Sequence, residues 1–171
     1  MMNFIVAVLL ILFAAFSRLI PHPANFTPVA AIALFSGVYL NKKYFLIISI
    51  AAMLLSDIFL GFHSIMIWVY GSFAVIALIG LWLKSHKSTG FIFGTTLVSS
   101  IIFFIITNFG IWASGYYGYS LNGLAESYVM AIPFFKNTVA GDLFYVAAMF
   151  GIYEFVSKYY VSPKLVENEN R

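Results

Sequence analysis

Ile65-Met-Ile-Trp-Val-Tyr-Gly-Ser-Phe-Ala-Val-Ile-Ala-Leu-Ile-Gly-Leu-Trp-Leu83 carries no charged side chain. About 20 such residues cross the hydrocarbon core of a bilayer as a helix. The flanks of this run are as informative as the run itself. Gly61-Phe-His-Ser64, before it, holds no Lys or Arg. Lys84-Ser-His-Lys-Ser-Thr-Gly90, after it, is polar and cationic.

The same alternation extends outward in both directions. Further apolar runs occupy residues 2–17, 29–40, 44–60 and 91–112, and a last one covers residues 128–159. The last is too long for one straight span, and Pro133 is expected to divide it into a short outer piece and a sixth helix. Ile20-Pro-His-Pro-Ala-Asn-Phe-Thr-Pro28 separates the first two runs; its prolines fix φ and forbid a continuous helix. Residues 114–127, rich in Gly and Tyr, read as the longest loop. Residues 1–160 are therefore expected to form one all-α domain, a polytopic membrane bundle of six transmembrane helices. Residues 161–171 read as a polar cytoplasmic tail.

Lys42, Lys43, Lys84, Lys87, Lys158, Lys164 and Arg171 all fall in the second gap, the fourth gap, or the end of the last run and the tail that follows it; only Arg18 and Lys136 lie elsewhere. The positive-inside rule then places both termini in the cytoplasm of a multi-pass protein of the cytoplasmic (inner) membrane. Trp68, Trp82 and Trp112 each stand near a helix end, as an interfacial aromatic belt requires. Residues 1–16 lack a basic leader and read as a retained helix.

Composition sets outer limits. The chain is 63% hydrophobic and 9% charged, against about 25% charged in soluble domains. A water-soluble globule is excluded. The net charge of +3 flanks apolar runs and forms no basic face, so no nucleic-acid partner is expected; the lipid bilayer is the expected one. Without cysteine there is no disulfide and no thiolate chemistry.

Against this background a few polar residues need a reason. Asp57 and Asp142 lie within apolar runs, where a carboxylate costs about 2.5–3.5 kcal/mol on insertion scales and normally faces a cavity or a partner. Thr138, Asp142, Tyr145 and Met149 fall on one helical stripe, and Ser100, Phe104, Asn108 and Trp112 recur every fourth residue on another. Hydrogen bonding between helices would explain Asn108 and Thr138 equally well. Arg18 is a candidate partner for Asp57 or Asp142, or a clamp for a ligand carboxylate or phosphate. His22 and His63 stand in separate outer gaps without metal-ligand spacing. Trp112, Tyr116, Tyr117, Tyr119 and Tyr128, interspersed with polar groups, suit a flat, partly apolar ligand or a tyrosine belt. Ala33 with Gly37, and Ala147 with Gly151, permit close helix packing.

The segments Ser17-Arg-Leu-Ile-Pro-His-Pro-Ala-Asn-Phe-Thr-Pro28, Ser56-Asp-Ile-Phe-Leu-Gly-Phe-His63, Thr107-Asn-Phe-Gly-Ile-Trp112 and Ala131-Ile-Pro-Phe-Phe-Lys-Asn-Thr-Val-Ala-Gly-Asp142 resemble an uncharacterised family of bacterial transport proteins. That family is similar to the substrate-binding S components of energy-coupling-factor (ECF) vitamin transporters. The resemblance implies six helices, a substrate pocket near the extracellular face and a gating loop between the first two helices. It also implies an energising module, a coupling subunit with two ATPases, docking from the cytoplasm. The chain itself has no Walker-type phosphate loop. It departs from many S components in lacking an Ala-xxx-Ala pattern on the first helix, where Ile11 follows Ala7, so a solitary transporter stays open.

The expected function is thus uptake of a vitamin-like small molecule, with no cofactor or metal. The expected ligand contacts are Arg18, Asn25, Asp57 and His63 from the first half of the chain, and Asn108, Trp112, Asn137 and Asp142 from the second. Two alternatives are an intramembrane aspartyl enzyme built on Asp57 and Asp142, and a structural membrane assembly subunit with a filled outer side.

Overall fold

A computed structural model describes residues 2–41 and 43–158, with side chains from residue 5 onward. Lys42 and the expected tail, residues 161–171, lie outside the described residues. All regular structure among them is helical: α1 (Met2–Leu19), α2 (Val29–Tyr39), α3 (Phe45–Leu60), α4 (Met66–Leu83), α5 (Thr89–Ala113), α6 (Leu121–Val129) and α7 (Ile132–Val156).

The bundle is organised around its shortest apolar member. Every residue of α2 from Val29 to Val38 is buried, and α2 touches α1, α3, α4, α5 and α7. Its sequence, VAAIALFSGVY, is apolar on all sides, and a helix of that kind must be enclosed. Its small residues let neighbours come close. A Cβ on Gly37 would stand 2.6 Å from the backbone of Gly80, and one on Gly80 would stand 2.5 Å from the carbonyl oxygen of Leu34. The backbones of α2 and α4 therefore meet directly. At 1.5 Å per residue α2 is only about 16 Å long, half the depth of a bilayer core. The proline-containing segment that precedes α2 is exposed from Ile20 to Asn25, and it borders the site described below.

The outer surface is apolar. Leu9, Phe13 and Phe16 on α1, Ile58 and Phe59 on α3, Ile101 and Ile105 on α5, and Phe144, Ile152 and Phe155 on α7 are among the exposed large hydrophobics. A soluble monomer rarely leaves such patches open; a hydrocarbon solvent requires them. Among the described residues, α4, α5 and α7 are long and apolar enough to cross a membrane, and Ile5–Leu19, Val29–Tyr39 and Phe45–Leu60 are shorter apolar helices.

One sequence expectation changes and another takes a definite form. The stretch read as one long loop contains α6. Ser120 caps it, accepting a hydrogen bond from Gly123 N at 3.0 Å, and Leu121, Leu124, Ala125 and Tyr128 give it an apolar stripe at helical spacing. Glycine and the density of polar residues hid this short helix. Pro133 divides the last run as expected, and does so as a start signal. It stands in the first turn of α7, where a missing N–H is harmless, and the outer piece before it is the end of α6.

At the opposite end from His63, the rings of Phe35, Tyr39, Phe150 and Tyr153 pack together, with centroids 3.9–5.5 Å apart. Tyr39 donates to Glu154, and Lys87 Nζ lies 4.3 Å from the Tyr39 ring centroid. These contacts join α2, α7 and the α4–α5 turn and fill that end of the bundle.

Candidate functional site

Arg18, at the end of α1, reaches across to α3. Its Nη1 lies 2.7 Å from Asp57 Oδ1, donates to Ser56 Oγ and stands 3.4 Å from Met53 O. Tyr70 on α4 donates to Asp57 Oδ2 at 2.5 Å. Asp57 is only 1% exposed, so its charge needs this company: a buried carboxylate without a cation and donors is strongly unfavourable. The cluster pins α1, α3 and α4 together at one end of the bundle. All contacts of Arg18 among the described residues run through Nη1. Its Nε and Nη2 remain available.

A cavity of about 300 Å³ opens beside Arg18. His22, Asn25, Thr27 and His63 stand around its rim; Thr138 and Asp142 form its floor. A second chamber of about 320 Å³ adjoins it, the two sharing Asn25, Ile65, Val69, Phe103 and Thr138. The second is more apolar, walled by Phe104, Ile111, Phe134 and Phe135, with Thr107, Asn108, Tyr117 and Ser127 as its polar members. Together they form one cleft at the end of the bundle built by the first, third and fifth interhelical segments.

The floor has a distinct chemistry. Asp142, 3% exposed, accepts one hydrogen bond, from Ser100 Oγ at 2.7 Å, which ties α7 to α5. Among the described residues no Lys, Arg or His lies within ion-pair distance of it. Neighbouring polar groups direct their protons to their own helices. Thr107 donates to Phe103 O (2.7 Å), Thr138 to Phe134 O (3.1 Å), Ser127 to Leu124 O (2.7 Å), and the Asn108 amide to Phe104 O (2.7 Å). What they turn to the cleft is acceptor capacity, together with the second N–H of the Asn108 amide.

Local backbone geometry sets the rim. Asn25 has φ 63, a left-handed conformation that Asn tolerates better than most residues, and it borders both chambers. Phe26 follows, packing on α7 with its ring 5.6 Å from Tyr145 and 5.9 Å from Phe144. Gly141 makes room for it, since a Cβ there would stand 3.1 Å from Phe26 Cα. Gly61, with φ 94, ends α3 and turns the chain so that His63 borders the first chamber. His22 Nδ1 donates to Ile20 O at 2.6 Å.

Of the eight expected ligand contacts, Arg18, Asn25, His63 and Asp142 line the first chamber, and Asn108 lines the second. Asp57 lines neither; it acts behind Arg18. Trp112 and Asn137 also line neither. The Trp112 indole N–H donates to Ser120 O at 3.1 Å and fastens the start of α6. Thr27, Thr138, His22 and Tyr117 join the lining. Tyr70 and Ser56 were not singled out in sequence: a tyrosine or serine in an apolar helix gives no local sign that it bonds a buried ion pair. Tyr116 and Tyr119 are exposed, while Tyr128 donates to Ile105 O at 2.9 Å and burial raises its hydroxyl pKa.

The chain has no significant match among curated proteins or solved structures. Residues 1–165 match the profile of a family of unknown function, DUF6580, and the chain belongs to that family.

Proposed function

We propose that this protein is a six-span membrane protein that captures a small organic molecule from the extracytoplasmic side, in the manner of an S component. The observation that carries this reading is the two-chambered cleft with buried Asp142 on its floor and the unused donors of Arg18 on its wall. Small-molecule sites are concave, mostly apolar and equipped with a few convergent polar groups. The cleft has that composition, and a carboxylate at this depth is retained in spite of its insertion cost.

Two further features support uptake over the alternatives. The far end of the bundle is filled by the cluster around Tyr39 and Tyr153, so a ligand in the cleft has no straight path through. Release then requires a rearrangement, which a docked coupling subunit with its ATPases would drive. Asp57 is held by Arg18 and Tyr70 and does not line the cleft, which speaks against an aspartyl dyad with Asp142. The open cleft likewise speaks against a purely structural subunit.

In this reading the cleft and His63 face outward, and Lys84 and both termini face the cytoplasm. Since the chain has no cysteine, single cysteines report topology cleanly. A membrane-impermeant maleimide is expected to label Ser64→Cys in intact cells, and Ser85→Cys only after permeabilisation. The reverse pattern overturns the orientation. For the function, native mass spectrometry of protein released gently from nanodiscs is expected to show a co-purifying small molecule. A bare protein mass, with no ligand recovered from any membrane preparation, counts against capture.

A further inference from the structure

We infer that the ligand is a small zwitterion, carrying a protonated amine or similar N–H cation that seats on Asp142 and an oxygen acceptor, such as a carboxylate, that meets Arg18. This rests on the capture reading above and names the chemistry of that same cleft.

The charges around the cleft do not balance internally. Arg18 is neutralised by Asp57 at 2.7 Å. Asp142 has Ser100 and no cation among the described residues, yet it borders the cavity. A buried carboxylate of this kind takes up a proton unless a cation or strong donors complete it, and a ligand cation seated on it would hold it ionised. The uncharged groups agree. Thr138, Thr107 and Ser127 have given their only side-chain protons to helix carbonyls, and the Asn108 amide has given one of its two. Around Asp142 the inner surface is thus rich in acceptors; the donors of the second chamber are the Tyr117 hydroxyl, the second Asn108 N–H and the Asn25 amide. A ligand that presents donors fits it, and an anionic group there would face unshielded oxygens.

The Arg18 wall has the opposite character. Nε and Nη2 have no partner among the described residues, and a guanidinium already paired on Nη1 still offers these hydrogens to an oxygen acceptor. The two polar groups sit on one chamber of about 300 Å³, at the small end of known ligand pockets. That volume selects a compact molecule, with an apolar or ring portion extending between Phe103 and Phe104 into the second chamber.

Three ring compounds separate the terms: 4-(aminomethyl)benzoate (both groups), benzylamine (cation only) and 4-methylbenzoate (anion only). Binding is read by ligand-observed saturation-transfer NMR on the full chain in nanodiscs, at millimolar probe. The zwitterion is expected to bind most tightly and the acid alone most weakly. Asp142→Asn keeps an oxygen to accept from Ser100, so it should fold. It should weaken 4-(aminomethyl)benzoate at least about tenfold, as loss of a charge-assisted contact does, and leave 4-methylbenzoate no weaker, since a negative charge has been removed. Equal affinity for wild type and Asp142→Asn, or preference for 4-methylbenzoate, overturns the inference while leaving capture intact. So does failure of all three probes when native mass spectrometry still shows a co-purified molecule. Absence of both probe binding and any co-purified molecule overturns the inference together with the capture reading.

Discussion

Asp57 and Asp142 are the same side chain at nearly the same depth, 1% and 3% exposed, on neighbouring parts of one bundle, yet they hold opposite positions in its economy of charge. Asp57 has Oδ1 in an ion pair with Arg18 and Oδ2 in a hydrogen bond from Tyr70, and it lines neither chamber of the cleft. Asp142 has one serine and opens onto a cleft. The lesson is that burial alone does not mark a functional carboxylate. A buried acid whose partners are all supplied by the fold is a joint between helices. A buried acid left incomplete, beside empty space, is waiting for something from outside.

This contrast is sharpest in stability. Asp57→Ala strands Arg18 and Tyr70 and should lower unfolding stability by about 3–5 kcal/mol, the usual result of removing one member of a buried ion pair. A thermal unfolding midpoint in detergent equal to wild type would remove Asp57 from its structural role. Tyr70→Phe takes away only the donor to Oδ2 and should lower stability by about 1.5–3 kcal/mol, as for a hydrogen bond to a charged group. The same unfolding measurement checks it; an effect larger than that of Asp57→Ala would mean that Tyr70 acts through packing instead. Asp142→Asn should change stability by less than about 1 kcal/mol, because the amide still accepts from Ser100 and no cation is left stranded. A loss comparable to that of Asp57→Ala would erase the difference between the two sites.

The sequence made both aspartates visible, because a carboxylate in an apolar run always needs an explanation. It also gave the helical architecture, the short second helix, and Arg18, Asn25, His63 and Asn108 as residues of interest. It could not assign the roles. Arg18 was equally suited to Asp57 and Asp142, and only the packing of α1 on α3 decides for Asp57. Tyr70, the residue that completes Asp57, looked like any interfacial tyrosine. Trp112 and Asn137 carried promising side chains on nearby segments, but neither lines the cleft, and Trp112, on the same stripe as Asn108, spends its indole N–H on Ser120 O. The cleft itself is bordered by the proline-containing segment through His22, Asn25 and Thr27. No local pattern announces the void beside that segment.

The capture account stands or falls most directly on ligand occupancy. Wild type and Asp142→Ala are purified side by side in nanodiscs and weighed by native mass spectrometry. Wild type is predicted to carry a bound small molecule, and the variant to insert and fold but arrive empty. Equal occupancy of the two proteins, or none in either, would contradict it.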